Sequence, residues 1–187
     1  MSDEAFIKKI LRTTPELWEI LTLIRRLQLK QGYLAAGSIR NAVWQTLSQQ
    51  SVTLISDVDV VFFDPDRPVS DDLVLFNQLT TWAPQYQWQV KNEVYMAHYD
   101  FDDGPEFRSV ADAIGQFVEV PTCIGARLMA DDEIDLIAPH GTRELLQLQC
   151  RPIPFYRQDA RHLAVYQQRM RRKQWQRLWP NLKVDDY

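Results

Sequence analysis

The chain has 187 residues, 45% of them apolar and 25% charged, with a net charge of −4. A chain of that size and mixture builds one domain around its own core, which excludes disordered, fibrous and disulfide-stapled classes. No run reaches the roughly 18 consecutive apolar residues of a membrane helix, and Met1-Ser2-Asp3-Glu4 lacks the basic flank of a signal peptide, so a cytoplasmic protein without a membrane partner is expected.

The first strong segment is helical. Thr14 is placed to cap it, Pro15 suits its first turn, and Leu17, Ile20, Leu21, Ile24 and Leu27 repeat along one face, with Gly32 as its expected end. Tyr33 to Ala36 is a short apolar strand, followed by the turn Gly37-Ser38 and a second helix carried by Ile39, Ala42, Val43 and Leu47. The clearest strand runs from Asp57 to Phe63, β-branched and aromatic, and ends where Pro65 and Pro68 stop it. A helix is predicted over about 70–82, with Ser70 as cap and Leu73, Phe76 and Leu79 on one face, then a strand from Trp88 to Asn92. Residues 99–105 are acidic and turn-rich. Thr122–Met129 and Ile134–Ile137 flank Ala130-Asp131-Asp132-Glu133 as a β-hairpin, and a short helix is predicted over 142–148. A basic, aromatic helix closes the chain at about 158–178. Charge divides at the same place: residues 1–150 hold 12 Lys and Arg against 22 Asp and Glu, and residues 151–187 hold 9 against 3. Two cysteines, Cys123 and Cys150, are too few for a disulfide framework or an unaided metal site and read as buried thiols.

Chemistry concentrates at Asp57 and Asp59. Residues i and i+2 of a strand share a face with Cα atoms roughly 6.5–7 Å apart, so both carboxylates can lean over a divalent ion. Two neighbouring anions in an apolar strand repel each other and lose hydration unless a cation or water offsets the cost. Mg²⁺ suits such a pair, since it takes hard oxygen ligands and is usually held by one or two carboxylates plus substrate phosphates. The competing reading is an edge strand with its charges turned to solvent. Upstream, Gly37-Ser38 opens a helix whose backbone N–H groups and Ser38 hydroxyl could bind phosphate, with Arg40 able to grip it as a fork. Ser38 as an ordinary helix cap is the alternative.

Leu34-Ala35-Ala36-Gly37-Ser38-Ile39-Arg40-Asn41-Ala42-Val43-Trp44 followed by Ser56-Asp57-Val58-Asp59-Val60-Val61-Phe62-Phe63-Asp64 resembles the signature of the polymerase-β-like nucleotidyltransferase superfamily. More closely, the chain is similar to a bacterial nucleotidyltransferase-like family of unestablished substrate, a likeness continued by Trp88–Asn92, Ser109–Ala113, Thr122–Leu128, Ala138–Gly141, Arg151–Pro154, Lys173–Trp175 and Trp179-Pro180. The resemblance implies an α+β nucleotidyltransferase fold, a mixed β-sheet with helices packed on it. It implies that Asp57 and Asp59 ligate two Mg²⁺ ions with a nucleoside triphosphate, that Gly37 and Ser38 hold the triphosphate, and that Arg40 and Asn41 support the turn or its phosphate. An acceptor, whether small molecule, protein or RNA end, would attack the α-phosphate and release pyrophosphate. The superfamily's third carboxylate is assigned first to Glu93 and second to Asp135. Without it, the fold would instead serve as a non-catalytic nucleotide-binding or partner-binding module.

Other features divide between roles. Lys91 and Asn92 either face the nucleotide or form a solvated strand end. Arg127, inside an apolar strand, needs a partner such as Asp112 or the phosphate site, and a structural ion pair is the favoured reading. His98, Asp100, Asp102 and Asp103 match no standard metal spacing and read as a polar loop. Arg169, Arg171, Arg172, Lys173 and Arg177 with Trp175 and Trp179 either form a surface for nucleic acid or dock on the acidic body, and docking is favoured.

Overall fold

The computed structural model describes residues 1–99 and 101–185. Its first helix, α1 (Asp3–Thr13), is absent from the sequence reading. The Ser2 hydroxyl accepts from the Ala5 amide at 3.3 Å, Asp3 and Glu4 sit in the positive first turn, and Ile7, Ile10 and Leu11 are buried. Helix α2 (Pro15–Arg26) buries Leu17, Ile20, Leu21 and Ile24. Thr14 occupies its cap position without a side-chain bond, and the helix stops at Arg26, ahead of the expected Gly32. Gln28 and Gln31 make the left-handed turns that reverse the chain.

Then follow β1 (Tyr33–Ala35), α3 (Gly37–Leu47), β2 (Val58–Phe62), α4 (Asp71–Trp82) and β3 (Trp88–Asn92). In α4 the buried residues are Leu75 and Leu79, while Leu73, predicted on the apolar face, is exposed. After α5 (Val110–Ile114), the predicted hairpin forms as β4 (Gly125–Leu128) and β5 (Ile134–Ile137). The short helix α6 (Arg143–Leu146) leads to β6 (Gln149–Cys150). The basic helix α7 (Ala160–Lys173) is shorter than predicted because Gln174 turns left-handed, and a single 3₁₀ turn, Trp175–Arg177, precedes β7 (Lys183–Val184).

Five strands form a mixed sheet in the order β3-β2-β1-β4-β5, parallel only between β2 and β3; β6 and β7 pair separately. Alternation along the strands divides the sheet's faces. Leu34, Val58, Val60, Phe62, Val90 and Ala126 point into the larger core, shared with α1 to α4 and the tail aromatics Tyr166, Trp175 and Trp179. Tyr33, Ala35, Val61 and Phe63 point the other way, into a smaller cluster with Phe101, Val110, Ile114, Ile153 and Tyr156. Asp59 alternates with Val58 and Val60, so it lies on this second face. Both cysteines are free and buried, and burial pushes their thiols up. Among the described residues no helix is long and apolar enough to cross a membrane.

Candidate active site on the second face of the sheet

Alanine 36 turns the chain from β1 into α3 with φ 54° and ψ −117°, a conformation that L-residues rarely adopt. That turn lays the start of α3 against the residues leading into β2. The Ser38 hydroxyl donates to the Asp57 carbonyl at 3.4 Å, and the Ser56 hydroxyl donates to the same carbonyl at 3.3 Å. A Cβ on Gly37 would stand 2.8 Å from the Ser56 Oγ, so a larger residue must push the Ser56 side chain aside. No side chain caps the first turn of α3, which leaves its N–H groups for an anion.

Asp57 is exposed just before β2, and Asp59 is half-buried one residue inside it. Burial first, and Asp57 second, push the Asp59 carboxyl up to about 6, while Arg40, Arg169 and Lys173 pull it back. The Asp57 carboxylate therefore stands close enough to Asp59 to raise it. Among the described residues no three His, Cys, Asp or Glu side chains gather to hold an ion. Asp57 and Asp59 offer two hard oxygen donors, the kind of protein ligand that Mg²⁺ takes alongside substrate phosphates.

Neither proposed third carboxylate joins the pair. The β2/β3 register sets Gln89, an amide, directly beside Asp59. Glu93 follows β3 and opens a 3₁₀ turn, where it lines the same cavity as Asp59 without forming a three-carboxylate cluster with it and Asp57. It is buried, and its carboxyl is pushed up to about 8, first by burial and then by Asp72 and Asp59. Asp135 is on β5, three strands from β2 and so roughly 14 Å away. Its Oδ2 accepts from Arg127 Nε at 2.9 Å and from the Tyr33 hydroxyl at 2.7 Å. Arg127 thus makes the expected structural ion pair, but with Asp135; Asp112 instead accepts from the Arg108 amide.

The remaining expected site residues separate. Lys91 shares the Asp59 face, exposed, with its Nζ 4.0 Å from Asp72. Asn92 points to the other side and is fully buried: its Oδ1 accepts from the Asp64 amide at 3.2 Å and its Nδ2 donates to the Asp64 carbonyl at 2.8 Å. It latches the loop after β2 and does not reach the face that carries Asp59. Asn41 accepts from Arg40 Nε and Nη2 at 3.2 and 2.8 Å and donates to Ser56 Oγ at 3.3 Å, so it braces the turn. Arg40 is buried; its Nη1 donates to Thr122 Oγ1 at 2.8 Å and its guanidinium lies 4.0 Å over Trp175. It acts from beneath the site as a fixed charge, with no open path to a phosphate. His98 contacts Glu106 at 3.0 Å and Asp103 contacts His162 at 3.5 Å, as a polar loop would; Asp100 lies outside the described residues.

Other residues emerge only from the fold. Thr122 donates to Glu119 Oε2 at 3.0 Å, and Glu119, with no solvent exposure, pairs through Oε1 with Arg169 of α7. A cavity of about 310 Å³ opens beside Asp59, lined also by Ala36, Gln89, Lys91, Glu93 and Arg169 and walled by Phe101, Phe107, Phe117, Phe155 and Tyr156. In the sequence, Arg169 stands far from the aspartates and the aromatic residues are scattered, so no local spacing marks them.

A family model described as Nucleotidyltransferase matches residues 22–184. Among solved structures, one described as an NMR structure that reveals a CCA-adding enzyme head domain is 38% identical, with a TM-score of 0.86, over 97% of this chain and 95% of its own. An apo CCA-adding enzyme and the CCA-adding enzyme of Bacillus stearothermophilus in complex with CTP are 12% and 15% identical, with TM-scores of 0.56 and 0.51. Those two matches cover 96% and 84% of this chain but only 42% and 38% of theirs, and they show the fold alone. No curated protein matches. The match of sequence over most of the length agrees with the Gly-Ser turn seated on the aspartate strand: the chain belongs to the nucleotidyltransferase family.

Proposed function

We propose that the protein is a Mg²⁺-dependent nucleotidyltransferase that moves a nucleoside monophosphate from a triphosphate to an acceptor and releases pyrophosphate. The observation that carries this reading is the seating of the Gly37-Ser38 turn on the Asp57 carbonyl, which brings an uncapped helix start and two carboxylates to one place. Mg²⁺ held by Asp57, Asp59 and the phosphates would neutralise charge on the attacking and leaving oxygens. The chain's own part is positional. The start of α3 and Ser38 hold the triphosphate, and Arg169 and Lys173 set positive charge near Asp59. Arg40, buried behind the turn, keeps that field in place.

Pyrophosphate release and label transfer from each labelled triphosphate, with a cell extract as acceptor source, test the reading. Asp57→Asn and Asp59→Asn are each expected to cut turnover by about 10²–10³-fold, the scale of losing a preorganised electrostatic contact. Turnover that survives both substitutions rejects the mechanism. Gln89 in place of a carboxylate beside Asp59 favours a second reading, a non-catalytic nucleotide-binding module. A thermal shift with triphosphate but no pyrophosphate from any acceptor would decide for it.

A further inference from the structure

Four charged side chains line the cavity beside Asp59, and three of them are accounted for. Arg169 pairs with Glu119, Lys91 Nζ stands 4.0 Å from Asp72, and Asp59 is a metal ligand in the reading above. The fourth, Glu93, is only 5% exposed, and among the described residues its carboxyl makes no hydrogen bond and no ion pair. Its oxygens open to the cavity, unlike Gln116 Oε1, which is sealed in the wall without a partner. A carboxylate drawn from water and left unpaired is costly, so one that lines a cavity calls for a donor from outside the protein. The surroundings select the charge of that donor. Asp72 and Asp59 add negative potential at Glu93, and only Lys91 opposes them. Phe101, Phe107, Phe117, Phe155 and Tyr156 wall the space, and the faces of such rings attract cations. A metal ion needs further oxygen ligands that these rings do not supply, whereas an organic ammonium ion suits both the carboxylate and the rings. The volume of about 310 Å³ is at the lower end of ligand pockets, roughly 300–1,000 Å³, and fits a small molecule.

We infer that this cavity binds the acceptor, a small organic cation whose ammonium group pairs with the Glu93 carboxylate while the aromatic rings pack around it. The inference rests on the nucleotidyl-transfer reading above, because it names the second substrate of that reaction. An ammonium nitrogen has no lone pair with which to attack phosphorus. The attacking group is therefore a hydroxyl on the same molecule, a neutral group that this negative site does not repel, and the class is an amino alcohol. The hydroxyl oxygen forms a bond to the α-phosphorus, the bond from that phosphorus to the bridging oxygen breaks, pyrophosphate leaves, and the hydroxyl proton passes to water.

Calorimetric titration compares ethanolamine, choline and tyramine with their uncharged isosteres, in which carbon replaces the nitrogen, on the unaltered protein and on Glu93→Gln. At least one cation is expected to bind roughly tenfold more tightly than its isostere, and Glu93→Gln to remove the difference. An unchanged affinity for tripolyphosphate with Mg²⁺ shows that the variant is folded, and the comparison on the unaltered protein stands without it. If no cation binds better than its isostere, or if Glu93→Gln keeps the difference, the site is refuted and the phosphate reading is untouched. Adding ATP, CTP, GTP or UTP with Mg²⁺ to the cation complex decides the occupant. Binding together, with pyrophosphate released by the cation and not by its isostere, supports an acceptor. Displacement by a nucleoside triphosphate but not by tripolyphosphate gives the cavity to the nucleotide and overturns the inference, and binding together without release from any of the three cations overturns the acceptor role. If neither tripolyphosphate nor any nucleoside triphosphate binds, the nucleotidyl-transfer reading itself fails.

Discussion

Asp59 and Glu93 are both carboxylates drawn away from water, and they differ in what stands near them. Asp59 has three cations in reach, Arg40, Arg169 and Lys173, and one neighbouring aspartate, Asp57. Glu93 has Asp72 and Asp59 raising its carboxyl and only Lys91 opposing them. Its acid group is held near 8 in the folded protein against an ordinary 4.5, so the folded state keeps a proton that the unfolded chain releases. The stability linked to Glu93 is therefore complete below about pH 4.5 and is lost as pH rises through about 8. Glu93→Gln, which mimics the protonated form, is expected to flatten the dependence of Tm on pH over that interval and to raise Tm at pH 8.5; an unchanged profile would show that the carboxyl ionises freely in the fold. At Gly37 the constraint is steric. Gly37→Ala must displace Ser56, whose hydroxyl links Asn41 to the Asp57 carbonyl. Tripolyphosphate affinity is expected to fall roughly tenfold with a small change in Tm, measured by titration and thermal melting.

Among the elements, α7 docks on the body, the reading that the sequence favours over a nucleic-acid surface. Tyr166 is buried with its hydroxyl donating to the Cys150 carbonyl at 3.1 Å, and Arg169 reaches the buried Glu119. Beyond the helix, Trp175 lies under Arg40, and Trp44 stacks edgewise on Trp175 and Trp179 at 5.5 and 5.0 Å. Arg40, Thr122, Glu119 and Arg169 thus form a hydrogen-bonded path from the Gly37-Ser38 turn to the tail. Removing one member leaves a charge without its partner inside the protein. Arg169→Met is expected to cost about 3 kcal/mol, and adding Glu119→Gln to recover part of it, as read from denaturant unfolding. Additive losses would mean that the two side chains do not couple. Strand register decides a second matter at this scale: the expected carboxylate, Glu93, follows the end of β3, and the residue set beside Asp59 is Gln89.

For the molecule as a whole, the sheet separates two tasks. One face packs on α1 to α4 and supplies most of the buried apolar surface, and the other carries Asp59 and the cavity beneath a smaller aromatic cluster. The tail contributes to both, since Tyr166, Trp175, Trp179 and Leu182 complete the larger core while Arg169 lines the cavity. A chain cut after residue 157 is therefore expected to lose its cooperative thermal transition, because several large side chains would leave the core together, each worth roughly 3–5 kcal/mol when truncated. A sharp melt from that shortened chain would show that the tail is an appendage. Local pattern alone carries β1, α3, β2, β3 and the β4–β5 hairpin, whose apolar spacing and turn residues are short-range signals, whereas the association of Gly37-Ser38 with Asp57 and Asp59 is legible only through the family resemblance. Helix α1 is absent from the sequence reading although Ser2, the acidic first turn and Ile7, Ile10 and Leu11 at helical spacing all signal it. Which carboxylates meet, that Arg40 is buried and Asn92 turned away, that Asp135 belongs to Arg127, and that scattered phenylalanines and Gln116 enclose one cavity were decided by strand order and docking. Those depend on contacts between residues far apart in the chain, which spacing along it does not encode.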